Sequence, residues 1–295
     1  MKTNWIPTNE YFHRILDTTD AIEREQLYIE LFVQPWQQMM TMVGRSEGGD
    51  PLAGAKGWGW LLPDQLEKIT AVLTKLETAA AWHVGADALA TAAARFDPFA
   101  DRIPFDTITG WLMLADETPM NAFERGYTGA TDWFQPRFIG QFWNPNETNL
   151  PRLPGLVAHE MHHLIRFRAF PFHMNITVGE YIVLEGLAES FATTVFGPNV
   201  LGYYVTDIHE NDLAAAQTLI GQSLHTQGFN VIRGYIFGDA LADRGGFEKV
   251  GMPTYGGYAV GYHLVQAFLQ QSGRTIEETT FLSADEIIAG SGLFR

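Results

Sequence analysis

The 295-residue chain is 46% hydrophobic and 13% aromatic, enough to bury at least one full core with room for two packed lobes, and its 18% charged content, free of long like-charge runs, excludes extensive disorder. A net charge of −15, from 34 acidic and 19 basic side chains, argues against nucleic acid and anionic membrane as partners, because both reward clustered Lys and Arg. The absence of cysteine excludes disulfides and thiolate metal sites, and no apolar run reaches the roughly eighteen residues of a membrane span, so a cytoplasmic protein is expected.

The first hundred residues read as a helical region, 1–100. "EYFHRILDTTDAIEREQLYIELFVQPWQQMM" spaces its apolar residues by three and four, with interruptions expected at "DTTD" and Pro35. "GRSEGGDPLAGAKGWGW" is glycine-rich and reads as a loop. "PDQLEKITAVLTKLETAAAWHV" repeats the helical spacing, with Pro63 at an expected first helical position. Two prolines and three aspartates in "RFDPFADRIPFD" mark a boundary, and a second region is expected over 101–295. There the texture changes to short β-like runs, "TITGWLMLA", "RGYTGAT" and "RFIGQFWN", which suit strands of one sheet. Helices are expected again from Leu156 to Phe167 and after Thr177, where Thr177 and Glu180 form a T-x-x-E capping box closed later by Gly197 and Pro198. Further helices fit "DIHENDLAAAQTLIGQSL" and "GGYAVGYHLVQAFLQQSG", and a last one starts at a second box, Ser283 to Glu286.

The stretch that carries chemistry is "VAHEMHHLIRF". On a helix His159 and His163, four apart, place their imidazoles on one face where both can grip one ion, and Glu160 sits one residue round, able to reach a water without itself being a ligand. With nine His and nineteen Glu in the chain, an H-E-x-x-H pattern is expected by chance only about 0.02 times. A catalytic zinc site needs a third protein ligand and one open position. A ligand six residues after the second histidine fails, because Arg166 and Ala169 stand where glycine and histidine are required. Glu185 in "VLEGLAESF" follows His163 after 21 intervening residues, on a separately capped and mostly apolar helix. A buried carboxylate there needs a partner, and a cation is the best one available. His162, three residues after His159, could support a ligand or take part in ordinary polar packing, and the packing reading is favoured.

"HEMHH" followed by "EGLAE" resembles the gluzincin group of metallopeptidases, in which a glutamate on a second helix completes the zinc site, and is most similar to a bacterial family of predicted Zn-dependent proteases of unassigned function. The resemblance covers roughly the last two thirds of the chain. It implies an α+β, zincin-like fold, mostly helical with a small mixed sheet packed on the active-site helix. It also implies one Zn²⁺ per chain held by His159, His163 and Glu185, with Glu160 as the base and Glu189 orienting a ligating histidine through its other ring nitrogen. A zinc ion would lower the pKa of water from 15.7 to about 7 and polarise the carbonyl under attack, while Glu160 took a proton and delivered it to the leaving amine. Similar sites accept cobalt or manganese. Oxyanion donors are sought in "GGYAVGYHLV": Tyr258 and Tyr262 share a face, and Gly257 and Gly261 would let their helix approach closely, with His263 and His225 as alternatives. Substrate, a peptide or unfolded polypeptide, would add as a strand to a sheet edge, either "RGYTGATDW" or "RFIGQFWN". The competing expectation is a metal-stabilised peptide-binding or regulatory protein that holds a partner without cutting it.

Overall fold

The computed structural model describes residues 1–42, 49–117 and 124–294. The N-terminal part contains β1 (Lys2–Trp5) and the helices α1 (Thr8–Asp17), α2 (Ala21–Tyr28), α3 (Gln34–Met42), α4 (Ala53–Gly57), α5 (Leu66–Thr78) and α6 (Ala81–Ala94). Three further strands follow, β2 (Thr107–Leu114), β3 (Tyr127–Thr131) and β4 (Arg137–Phe142). The remainder is helical: α7 (Leu153–Ala169), α8 (Val178–Phe196), α9 (Tyr203–Thr206), α10 (Glu210–Gly221), α11 (Phe229–Phe237), α12 (Asp239–Gly245), α13 (Gly256–Ser272), α14 (Ile276–Thr279) and α15 (Ala284–Ser291). The fold is α+β, mostly helical with one small mixed sheet.

Several local expectations need correction. Pro35 does not interrupt the helix. It lies inside α3, and the chain instead takes a π-helical turn over Ile29–Val33, in which the Gln34 N–H bonds to the Ile29 carbonyl. Pro63 is not a first helical residue, since α5 begins at Leu66, and the long pattern splits where Ala80 adopts a left-handed φ of 52°. Of the glycine-rich loop, residues 44–48 lie outside the described residues, while α4 occupies Ala53–Gly57. The three expected strands and the two expected capping boxes are present, and Thr275 with Glu278 makes a third box.

The sheet runs β1-β2-β4-β3. β1, β2 and β4 are parallel, with Lys2 beside Thr107 and Thr109 beside Arg137, whereas β3 pairs antiparallel to β4, with Tyr127 beside Phe142. The "RGYTGAT" strand is therefore an edge and "RFIGQFWN" is interior, which decides between the two candidate edges. Burial of Trp111 to Leu114 on both faces is what a central parallel strand requires. α7 packs under β3 and β4 on one side and against α6 and α8 on the other.

α8 is buried over nearly its whole circumference, from Val178 through Ala192. Its closest neighbour is α13, and the crossing point is glycine on glycine. A Cβ on Gly186 would lie 2.1 Å from the Gly261 carbonyl oxygen, and one on Gly261 would lie 2.2 Å from that of Ile182. Only glycine permits that backbone contact, which draws the Tyr258 end of α13 toward the carboxylates of α8.

Candidate metal centre

α7 and α8 bring His159, His163 and Glu185 together, all buried. The Nε2 atoms of His159 and His163 are 3.0 Å apart, and Glu185 Oε2 lies 3.2 Å from the first and 3.4 Å from the second. Bonds of about 2.0–2.2 Å at tetrahedral angles separate ligand atoms by about 3.3–3.6 Å, so this triangle has the size that one zinc-like ion demands. The donor chemistry fits as well. If His159 donates its Nδ1 proton to Glu189, its Nε2 carries a lone pair aimed at a carboxylate oxygen, an arrangement that is repulsive until a cation or a proton stands between them.

Glu189, one turn after Glu185, is engaged on three sides. Oε1 accepts from the Gly202 N–H at 2.5 Å, while Oε2 accepts from His159 Nδ1 at 2.9 Å and from the Tyr204 hydroxyl. The Tyr204 oxygen is itself 3.3 Å from His159 Nδ1. His159 is thus oriented by a carboxylate that is in turn fixed by a backbone amide and a phenol. His163 is held differently, its ring stacked 9° from parallel on Phe167 and its Nδ1 buried without a partner among the described residues.

The charges follow. Burial alone would lower the pKa of His159, but Glu185 and Glu189 outweigh it and push the imidazole well above its ordinary value. Burial would raise Glu185, yet His163 and His159 outweigh it and hold the carboxyl at about 2. The cluster is a place built to receive positive charge.

Glu160 lies against the sheet edge. A Cβ on Gly129 of β3 would fall 2.3 Å from Glu160 Oε1, so the glycine makes room for the carboxylate, and Thr131 places its hydroxyl 2.8 Å from Oε2 and 3.0 Å from the Glu160 carbonyl oxygen. His159, Glu160 and Glu189 border a cavity of about 300 Å³, walled by β3 on one side and by Arg233, Tyr255 and Tyr258 on another. Tyr258 stacks near Tyr204, and its hydroxyl, within electrostatic reach of Glu185, has no hydrogen-bond partner among the described residues.

Other candidates fall elsewhere. Tyr262, one turn beyond Tyr258, packs on His263 and does not border this cavity, while His225 lines a separate one. His162 points away from the cluster, with Nε2 2.9 Å from Thr280 Oγ1 and its ring against Phe96 and Phe191. Tyr204, Gly202 and Thr131 were not singled out by the sequence. A glycine within a strand pattern, Gly129, was the one local signal that backbone and a side chain meet closely there.

Fold and site together describe an α+β chain whose two central helices converge on a buried His-His-Glu cluster that could hold a metal ion. Residues 79–289 match the family described as "Predicted Zn-dependent protease (DUF2268)", and the chain belongs to that family. It is also 35% identical over 294 residues, covering 97% of each chain, to "Uncharacterized protein YjfC" of Bacillus subtilis (strain 168). No solved structure matches. Among the described residues no helix is long and apolar enough to cross a membrane.

Proposed function

We propose that the protein is a zinc-dependent peptidase of the gluzincin kind, zincin-like over residues 101–295, with the N-terminal helical region 1–100 packed beside it. The observation that carries this reading is the 3.0–3.4 Å triangle of two imidazole nitrogens and one carboxylate oxygen, next to a cavity that Glu160 also borders. His159, His163 and Glu185 would hold one Zn²⁺ per chain, whose contribution when bound is Lewis acidity toward a water and a carbonyl.

The remaining steps belong to side chains. Thr131 engages Glu160 Oε2, which leaves Oε1 to take a proton from the attacking water and return it to the leaving amine. Glu189 and Tyr204 keep His159 in the tautomer that turns Nε2 toward the cation. The free Tyr258 hydroxyl is the donor best placed for a developing oxyanion, and Tyr262, away from the cavity, is not favoured for that role. A peptide in extended form would lie along β3, whose outer edge has no paired strand among the described residues.

The test is direct. The purified protein should carry about one zinc per chain, and Glu160→Gln should retain the metal while peptide hydrolysis falls by about 10²–10⁴-fold. Incubation with a peptide library, read by mass spectrometry with and without chelator, should show chelator-sensitive cleavage. Undiminished turnover in Glu160→Gln would overturn the mechanism, and binding without cleavage would favour the non-cutting peptide-binding reading.

A further inference from the structure

The cavity beside the His-His-Glu cluster has a second charged wall. Arg233, on α11, borders it half-buried, with its guanidinium between the rings of Phe247 at 4.9 Å and Phe229 at 5.6 Å. Its Nη2 donates to the Gly245 carbonyl at 2.8 Å, and Nε and Nη1 have no protein partner among the described residues. Among the described residues no carboxylate pairs with it, although the chain carries 34 acidic side chains against 19 basic ones. Burial lowers its pKa, and only Tyr181 offsets that. Tyr181, one helical turn before Glu185, lies within electrostatic reach of Glu185, Arg233 and Glu160, and Arg233 lines the same cavity as Glu160 and Glu189. An arginine with no carboxylate partner among the described residues therefore faces the same cavity as the acidic centre.

Holding a guanidinium half out of water without a counter-ion has a cost, and a planar fork with two free N–H positions is matched best by a carboxylate. The carboxylates of the cluster are already engaged by His159, His163, Tyr204 and Thr131, and Glu124, the other carboxylate on the cavity wall, meets Thr128 and is not among the groups that act on Arg233. The complementary group must then arrive from outside.

We propose that Arg233 is a specificity-determining residue that anchors a carboxylate of the substrate, so that the enzyme prefers peptides carrying a negative charge a short distance from the bond that is cut. This rests on the peptidase reading given above. The carboxylate has two possible sources, the C-terminal α-carboxylate of a short peptide or an acidic side chain.

The experiment measures binding first, in the Glu160→Gln protein, so that no turnover is needed. Three N-acetylated pentapeptides of one sequence serve as probes: the free acid, the C-terminal amide, and the amide with its last residue replaced by glutamate. Titration calorimetry should give at least about tenfold tighter binding for one of the two charged peptides than for the neutral amide. Preference for the free acid assigns the site to the chain terminus, and preference for the glutamate amide assigns it to a side chain. Arg233→Gln in the same background should erase the preference without changing zinc content or melting temperature, and Arg233→Lys should restore part of it. In the cutting enzyme the Arg233→Gln effect should fall on KM for the charged peptide, leaving kcat and the neutral peptide nearly unchanged. Equal affinity for all three peptides, or a preference that survives Arg233→Gln, overturns the proposal while leaving the peptidase intact. Failure of the wild type to cleave any peptide condemns the peptidase reading instead.

Discussion

His159 and His162 stand three residues apart on α7 and both are shut away from water, yet they are opposite in character. On the face toward α8, His159 meets Glu185 and Glu189, which overcome burial and favour a positive imidazole. On the other face, His162 meets Thr280 and two phenylalanines, and burial, helped by the neighbouring charges of His163, Arg166 and His159, keeps it neutral. The carboxylates around the cavity repeat the contrast. Glu185 is held at about 2 by two imidazoles, whereas Glu124, on the cavity wall with one oxygen unpartnered among the described residues and a long contact to Thr128, is pushed up to about 7 by burial. Burial is common to all four groups, and the partner decides the charge.

Removing the partner should therefore weaken the site even where no ligand is touched. Glu189→Gln is expected to lower zinc affinity by about 10–100-fold, measured by competition with a chromogenic chelator. Tyr204→Phe should give a smaller loss in the same assay, since Glu189 keeps its bonds to Gly202 and His159. Unchanged affinity in both would break the contrast.

Glu124 supplies the pH test. Its folded pKa of about 7 lies above the ordinary 4.5, so the contribution of its proton to stability is full below pH 4.5 and is lost as pH rises through 7. Glu124→Gln, which cannot ionise, should stabilise the protein at pH 8 by on the order of 1–3 kcal/mol, a rise of a few degrees in Tm, and should change little at pH 4. The smallest effect is expected at His162. His162→Leu removes one hydrogen bond to Thr280 and also one unpartnered ring nitrogen, for a net stability change within about 1 kcal/mol and full zinc content. The same change at His159 should abolish zinc binding.

What the sequence made legible was local. The H-E-x-x-H spacing, the capping boxes at Thr177 and Ser283 and the short β-like runs each depend on residues a few positions apart, and each is found where expected. The pairing of Glu185 with the histidines was reachable because "EGLAE" after "HEMHH" resembles the gluzincin pattern, while capping and apolarity marked α8 as a buried helix. Tyr204 and Arg233 were not legible, since their roles come from α9 and α11 packing against the cavity from 45 and 74 positions beyond His159. The strand β1 escaped notice because four residues, "KTNW", pair with β2 across a hundred intervening positions and carry no period of their own. Tyr258 and Tyr262 looked equivalent by spacing, and only the position of the Gly186–Gly261 crossing distinguishes them.

Two imidazoles and one carboxylate are expected to share one divalent cation. Calorimetric titration of zinc into the chelator-stripped protein and its Glu185→Gln and His163→Ala variants tests it most directly. One tight site per wild-type chain is expected, with at least about a hundredfold weakening in Glu185→Gln and no specific site in His163→Ala. Equal zinc binding by all three proteins would contradict it.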